Sequence, residues 1–216
     1  YMEELSSYAT VMLSSDDSES RISKVILPPN IKTIDLPFAN EVIFPNNSIT
    51  EVIFPGLASI ESIAFPKTLK AIGNNAFQGD SLTSVVIPSS VVRIGSNAFA
   101  AKHLGQGNIA SLKFEKDSHL IAIYGNEKSD YDEGAFGRNK LSNVIIPKSV
   151  EYIGYQAFAN NNLTTVSFEA NSKLKYMDSS VFLGNSNPIN LTLTTPTDLS
   201  DWPAGTKDDI TVVYER

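Results

Sequence analysis

One stretch of this 216-residue chain predicts its fold. It reads Leu82-Thr-Ser-Val85-Val-Ile87-Pro88-Ser-Ser-Val91-Val-Arg-Ile94-Gly95-Ser-Asn-Ala98-Phe99. It recurs almost unchanged as Leu141-Ser-Asn-Val144-Ile-Ile146-Pro147-Lys-Ser-Val150-Glu-Tyr-Ile153-Gly154-Tyr-Gln-Ala157-Phe158. Internal repeats are typical of proteins that stack one unit on the next, because a single copy has too little apolar surface to fold alone. The two copies therefore predict a repeat protein.

Each repeat begins with a motif that predicts a short strand. Apolar residues alternate with variable ones, as in Val85 and Ile87, which is the pattern of a strand with one buried face. A proline often follows and ends the strand, since proline has no N–H to donate to a sheet. Copies of this motif begin at Ile22, Ile31, Ala39, Ile49, Ile60, Leu82, Ile109, Leu141 and Leu163, and a last one ends in Leu191-x-Leu193.

A second strand is expected nine residues after the first, as Ile94 follows Val85. The same offset pairs Val25 with Ile34, so the closely spaced N-terminal copies become first and second strands of the same coil. We expect seven two-strand coils and a closing strand at Leu191–Leu193. If one or two extra residues are allowed, the pairs are Val25–Ile34, Val42–Val52, Ile63–Ile72, Val85–Ile94, Leu112–Ile123, Val144–Ile153 and Val166–Met177.

An Ala-Phe pair, or Val181-Phe182 as a variant, follows the second strand, and we expect its phenylalanine to be buried against the neighbouring coils. The 37-residue spacing between Phe99 and Phe136 exceeds the usual 22 by 15 inserted residues. Five of them enter at 101–108, two between Phe114 and Ile123, and eight between Ile123 and Phe136. Insertions that leave the apolar motif intact belong in surface loops. Glycine recurs directly after the second strand, at 73, 95 and 154. We expect it there because a side chain would obstruct the backbone conformation.

The motif resembles the BspA-type leucine-rich repeat of bacterial surface proteins, over about Arg21 to Thr194. This resemblance implies a mostly β repeat solenoid, a right-handed coil with short strands, turns and few short helices. It also implies a non-enzymatic recognition or adhesion module, although the family motif fixes no binding residues. The short first coils, the inserted residues and Asp178, where glycine is usual, depart from the family pattern.

The chain divides into three expected regions: an N-terminal cap at 1–20, leucine-rich repeats at 21–188, and C-terminal capping strands at 189–216. Residues 9–13 fit a strand as well as a weak helix, and Ile210–Tyr214 fits a last strand. Trp202 is expected to cover the open end of the solenoid. Because the sequence begins at Tyr1 without an initiator methionine, we expect a processed or partial chain.

Composition excludes several classes of function. Hydrophobic residues make up 42% and charged residues 19%, as in an ordinary folded domain. The net charge of −7 argues against nucleic acid and anionic membranes as partners. No apolar run reaches the roughly 20 residues that a membrane span needs. There is no cysteine, which rules out disulfides and thiolate catalysis.

The sequence contains few candidates for catalytic or metal-binding residues. His103 and His119 have no triad or metal-ligand spacing around them. The acidic stretch around 130–133 faintly resembles a calcium loop, with Asp130, Asp132 and Glu133 as ligands, but a full site needs about six oxygens. A solvated acidic loop is the interpretation we favour there. We therefore expect no cofactor and no catalytic residues.

The outward face of the first strands is the better functional candidate. Several apolar residues in a row on an exposed sheet usually mark an interaction surface, although β-branched residues also suit strands in general. The small polar residues beside them are free to vary. The predicted partner-binding residues are Ile43, Ala64, Thr83, Val86, Lys113, Ile145 and Ser167, with the inserted loops at 101–108 and 124–134 as the next candidates.

These observations lead to three hypotheses. The first is a monomeric, extracellular or bacterial cell-surface module that binds a protein or glycan of a host or neighbouring cell. The second is a structural spacer that displays other domains and has no specific ligand. The third, remote one is a calcium-dependent hydrolase built from the acidic loop with His119, Tyr124 and Tyr131.

Overall fold

A computed structural model describes residues 61–125 and 134–185 in full. Outside these ranges it describes only the backbone of seven strands, at 9–12, 25–26, 31–35, 41–43, 51–52, 189–193 and 210–214. The described parts contain strands and turns and no helix. The few short helices implied by the family resemblance are therefore absent there, and tight turns take their place.

One set of strands is formed by the first motif of each repeat. These strands are short because a proline or a turn follows directly, and they are joined in parallel to their counterparts in the next repeat. The first strands are β2 (Val25–Ile26), β4 (Glu41–Ile43), β6 (Ser62–Ala64), β8 (Ser84–Ile87), β10 (Ser111–Phe114), β12 (Asn143–Ile146), β14 (Thr165–Phe168) and β16 (Ile189–Leu193).

The second motif forms a second set of strands that alternates with the first along the chain. Its members are β3 (Ile31–Asp35), β5 (Glu51–Val52), β7 (Ala71–Ile72), β9 (Arg93–Ile94), β11 (Ala122–Ile123), β13 (Tyr152–Ile153) and β15 (Tyr176–Met177). All but β3 join in one parallel six-stranded sheet. Its register aligns Ile94 with Ile123 and Ile123 with Ile153, so the insertions leave the predicted pairing intact.

The first strands do not form one continuous sheet. They group as β2-β4-β6, β8-β10, and β12-β14-β16 with a final strand β17 (Ile210–Tyr214). The pairing of first strands is therefore interrupted between β6 and β8 and between β10 and β12. Within the groups, equivalent residues of the repeats align, as Val85 aligns with Leu112 and Val144 with Val166. The break between β10 and β12 falls beside the repeat that carries the insertions. The bond before the strand is kept there, since Lys140 N–H donates to the Ile109 carbonyl as Asn162 N–H donates to the Leu141 carbonyl in the next repeat.

A third side of each coil is made by the Ala-Phe turns, which are also linked from coil to coil. Phe99 N–H donates to the Ala135 carbonyl at 2.7 Å, and Phe136 N–H donates to the Ala157 carbonyl at 2.8 Å. These bonds satisfy backbone groups that would otherwise be buried without partners. Each repeat thus contributes two strands and one hydrogen-bonded turn to its neighbours.

The phenylalanines of these turns stack through the centre of the solenoid, as predicted. The ring centroids of Phe77 and Phe99 are 5.1 Å apart, those of Phe99 and Phe136 5.2 Å, and those of Phe136 and Phe158 5.3 Å. Each of the four rings is at most 2% exposed. The aliphatic residues of both strand sets pack around them in one continuous core. Such rings provide both buried area and favourable stacking.

A row of asparagines closes the turns after Phe136, Phe158 and Phe182, of which Asn139 and Asn161 are buried and Asn185 is half-buried. Asn161 is 5% exposed, and its Nδ2 donates to the carbonyls of Phe136 (2.9 Å), Phe158 (3.1 Å) and Ala159 (3.1 Å). Its Oδ1 accepts from Leu141 N–H at 3.1 Å. Asn139 and Asn185 make equivalent bonds in the adjacent repeats. A side chain that satisfies four backbone groups offsets the cost of its own burial.

Both ends of the solenoid carry an extra parallel strand. At the N-terminal end, β1 (Ala9–Met12) pairs with β3, and at the C-terminal end β17 pairs with β16. Strands are therefore present at the positions predicted for the caps. Trp202 lies outside the described residues.

Candidate binding surface

The predicted outward face is exposed where the structure describes its side chains. In β8 and β12 burial alternates strictly, so that Val86 and Ile145 point away from the core. They are 50% and 61% exposed, respectively. Single exposed aliphatic residues are common on protein surfaces, so this face is a candidate because Val86 and Ile145 occupy the same strand position in two repeats, and not because either one is exposed.

Apart from Thr83, which precedes β8, the predicted residues recur at one position of the first strands, here called the column, and the register aligns them in pairs within each separate group of strands. Ile43 aligns with Ala64, Val86 with Lys113, and Ile145 with Ser167. Ala64, Thr83 and Lys113 are exposed and Ser167 is half-buried, whereas the side chain of Ile43 lies outside the described residues.

Lys113 changes the character of this column. Lys113 is aligned with Val86, and its strand β10 lies between β8 and β12 in chain order. Val86 and Ile145 therefore do not form an unbroken apolar stripe. Lys113 is itself one of the residues predicted for this face, and it is exposed there. An apolar surface interrupted by a cation fits a partner that also offers polar groups.

A second, polar column runs beside the first. Ser84 aligns with Ser111, and Asn143 aligns with Thr165. Thr164 adds its hydroxyl, which donates to the Ser142 carbonyl at 3.3 Å. Short hydroxyl and amide side chains next to exposed aliphatics provide hydrogen-bonding groups without the cost of fixing long side chains.

The sequence reasoning missed a row of tyrosines on the other sheet. Tyr152 and Tyr176 are in register on β13 and β15, and their rings stack at 4.9 Å. Tyr124 continues the row, with its ring centroid 5.6 Å from that of Tyr152. The available signal was that Tyr152 and Tyr176 each directly precede the core residue of a second strand. Because the rings cover each other's faces, the row supports the second-strand sheet more than it offers a flat platform to a ligand.

Of the candidate catalytic and metal-binding residues, the structure describes His103, His119 and Tyr124. His103 is exposed in the 101–108 loop, and Nδ1–H of His119 donates to the Ser89 carbonyl at 3.0 Å. Asp130, Asp132 and Glu133 lie outside the described residues, as does Tyr131. Among the residues that the structure describes, no group of three or more potential ligands could hold a metal ion.

A shallow hollow of about 370 Å³ lies between the turns that follow β10, β12 and β14. Two lysines, Lys116 and Lys148, and two acids, Asp117 and Glu169, line it with Ala170 and Asn171. Glu169 already accepts the N–H of Lys148 at 3.0 Å. The charges balance, and the hollow contains no nucleophile or histidine that could act on a substrate.

Comparison with known families fits this architecture. The family model of the BspA-type leucine-rich repeat region matches six copies, over residues 30–121 and 108–201. The chain belongs to the BspA-type leucine-rich repeat family. The repeat that sets the fold is therefore the defining repeat of that family. No curated protein matches the chain significantly.

Several solved structures are similar to this BspA-type chain. The crystal structure of the pneumococcal vaccine antigen PcpA is 16% identical, with a TM-score of 0.51, and the match covers 82% of this chain and 56% of that one. A leucine-rich cell surface protein from Faecalibacterium prausnitzii is 18% identical, with a TM-score of 0.38 and coverage of 87% and 65%. A leucine-rich repeat protein from Bacteroides ovatus is 12% identical, with a TM-score of 0.30 and coverage of 90% and 66%.

At such low identity, the likeness to PcpA concerns the fold alone. The BspA-type chain spans between 56% and 66% of the length of these proteins. In the part of the chain that the structure describes, no helix is long and apolar enough to cross a membrane.

Proposed function

We propose that the chain is a non-enzymatic recognition module of a bacterial surface or secreted protein, which binds an extracellular protein or glycan. Its binding face is the outward side of the first strands, from Ile43 to Ser167. The observation that carries this proposal is the exposure of Val86 and Ile145 at the same position of the first strands β8 and β12. A repeat scaffold with a regular outer face is well suited to extended contacts with a partner.

The chemistry of the face favours a partner with both apolar and polar groups. Val86 and Ile145 offer aliphatic contacts, Lys113 offers a charge, and the column of Ser84, Ser111, Asn143 and Thr165 offers hydrogen bonds. Protein surfaces and glycans both present this combination.

Binding by the isolated chain tests the proposal. Immobilised collagen, fibronectin, mucin and a glycan panel would be probed with the purified chain by biolayer interferometry. We expect saturable binding to at least one of them. Absence of binding across the whole panel would remove the basis for the recognition role.

A structural spacer is the second candidate, and it is favoured by the continuous stack of Phe77, Phe99, Phe136 and Phe158, which makes the solenoid a stiff element. The double variant Val86→Glu/Ile145→Glu in the full-length protein discriminates the two. Full retention of ligand binding by that variant would favour the spacer, whereas a loss of binding would favour recognition by this face.

A further inference from the structure

The inserted loop at 101–108 ends in a turn that holds one leucine out in solvent. Leu104 is 72% exposed, the highest value among the large hydrophobic side chains that the structure describes. Gln106 N–H donates to the His103 carbonyl at 3.1 Å, and Gly105 adopts a φ of 80°. This is the geometry of a type II turn, in which only glycine fits the third position easily. Leu104 therefore lies at the tip of a defined turn.

The N-terminal side of the loop is fastened to the next repeat. Ala101 is buried and its N–H donates to the Gly137 carbonyl at 3.1 Å. Nη1 of Arg138 donates to the Lys102 carbonyl at 2.9 Å. The chain is thus fixed two residues before the leucine.

The C-terminal side is fastened just as closely. Gly107 is buried so near the Arg138 carbonyl that a Cβ would lie 2.0 Å from its oxygen. Nζ of Lys140 donates to Asn108 Oδ1 at 3.2 Å, and Ile109 N–H donates to Asn139 Oδ1 at 3.3 Å. A loop that is already ordered loses little conformational entropy when a partner binds, which favours affinity.

The surroundings of Leu104 are basic although the chain as a whole is acidic. Residues 101–108 and 134–140, which build the loop and its support, contain Lys102, Arg138 and Lys140 and no carboxylate. The whole chain carries a net charge of −7, so this basic area differs in sign from the rest. An apolar tip among cations is complementary to a partner that combines an apolar group with carboxylates.

The geometry points to the 101–108 loop as a docking element for an acidic protein segment, whose apolar side chain packs on Leu104 and whose carboxylates face Lys102 and Lys140. This inference rests on the recognition role proposed above and adds a second contact surface with its own partner chemistry. An anionic lipid surface is disfavoured. One leucine and a few cations hold a protein only weakly on a bilayer, and the acidic remainder of the chain repels an anionic membrane.

Peptide selection tests the inference. Random linear peptides displayed on phage would be panned against the purified chain, with the Leu104→Asp variant as counter-selection. Selected peptides would be synthesised and their affinities measured by fluorescence anisotropy at low and high salt. Leu183→Asp is the matched control, since Leu183 is also exposed in a turn (57%) but lies outside the basic area.

We expect the selected peptides to combine aspartate or glutamate with aliphatic or aromatic residues. Leu104→Asp should weaken their binding about tenfold or more, and Lys102→Glu/Lys140→Glu should weaken it and reduce its salt dependence. Gly105→Ala should weaken it several-fold. Its Cβ meets nothing within 4 Å, so only the turn conformation is disfavoured. Leu183→Asp should leave binding unchanged.

Four results would overturn the inference: no peptide enriches, the enriched peptides lack carboxylates, their binding survives Leu104→Asp, or only phosphatidylserine–phosphatidylcholine vesicles bind in a Leu104-dependent manner. Failure here is distinguishable from failure of the recognition role. If Val86→Glu/Ile145→Glu abolishes binding to the extracellular panel and Leu104→Asp has no effect in either assay, the recognition role stands and this inference falls.

Discussion

Replacing Asn161 by alanine should lower the free energy of unfolding substantially, because one buried backbone group would lose its hydrogen-bond partner. The three carbonyls that accept hydrogen bonds from Asn161 Nδ2 keep other donors. Phe136 O is also reached by Asn139, Phe158 O by Asn185, and Ala159 O by Arg138 N–H. The N–H of Leu141 has Asn161 Oδ1 as its acceptor and would be left buried without it. An unsatisfied buried donor costs about 1–3 kcal/mol, and the lost amide bonds add roughly 1 kcal/mol. We therefore expect a loss of about 2–4 kcal/mol in the free energy of unfolding.

Urea unfolding followed by far-ultraviolet circular dichroism measures this loss. Asn162→Ala is the matched control, because Asn162 is the adjacent asparagine and its side chain is exposed. The control should change the free energy of unfolding by no more than about 0.5 kcal/mol. If Asn161→Ala were as mild as the control, the proposed role of the asparagine row in the stacking of repeats would be refuted.

Five further variants test the packing and the backbone conformation of the repeats. Phe136→Ala should lower the free energy of unfolding by about 3–5 kcal/mol, since the ring is fully buried between the rings of two neighbouring repeats. Phe136→Leu should lower it less. Equal urea midpoints for the two variants would contradict this expectation. Gln156→Asn should stabilise by a few tenths to about 1 kcal/mol in thermal unfolding, because Gln156 has a φ of 50°, which asparagine tolerates better. Gly154→Ala should destabilise by about 1–3 kcal/mol, as its Cβ would lie 2.7 Å from Gly125 N; a wild-type midpoint would show that the close approach is not constraining. Tyr152→Ala should lower the near-ultraviolet circular dichroism signal and cost about 1 kcal/mol, and an unchanged spectrum would argue against a fixed row of stacked tyrosines.

The aliphatic and phenylalanine positions were predictable because every repeat must bury the same residues against its neighbours. The nine-residue offset between Val85 and Ile94 was enough to assign both strands of a coil, and Ile123 kept its place despite the insertions on both sides. Burial imposes a strict pattern on a sequence, and such a pattern can be read without a structure.

The asparagine row was missed because the pattern is incomplete. Asn139, Asn161 and Asn185 each follow a core phenylalanine by three residues, but Asp80 and Lys102 occupy the same position in two earlier repeats. A hydrogen bond to a backbone carbonyl leaves no periodic apolar signal.

The candidate binding surface was only partly predictable. The alternation in β8 and β12 put Val86 and Ile145 outside, and the structure confirms their exposure. The same alternation put Lys113 on this face, whereas the fixed turn at Leu104 depends on hydrogen bonds between repeats, which the apolar pattern does not encode. The identity of the partner depends on a second molecule and cannot follow from this sequence.

We propose that the outward face of the first strands binds the partner. The most direct test compares Ile145→Glu with Ile121→Glu by interferometry, against whichever member of the extracellular panel the chain binds. Both isoleucines are exposed, by 61% and 45%, but Ile121 lies next to the other sheet. We predict that Ile145→Glu weakens binding about tenfold or more and that Ile121→Glu leaves it unchanged. Equal effects of the two substitutions, or none from Ile145→Glu, would contradict the claim.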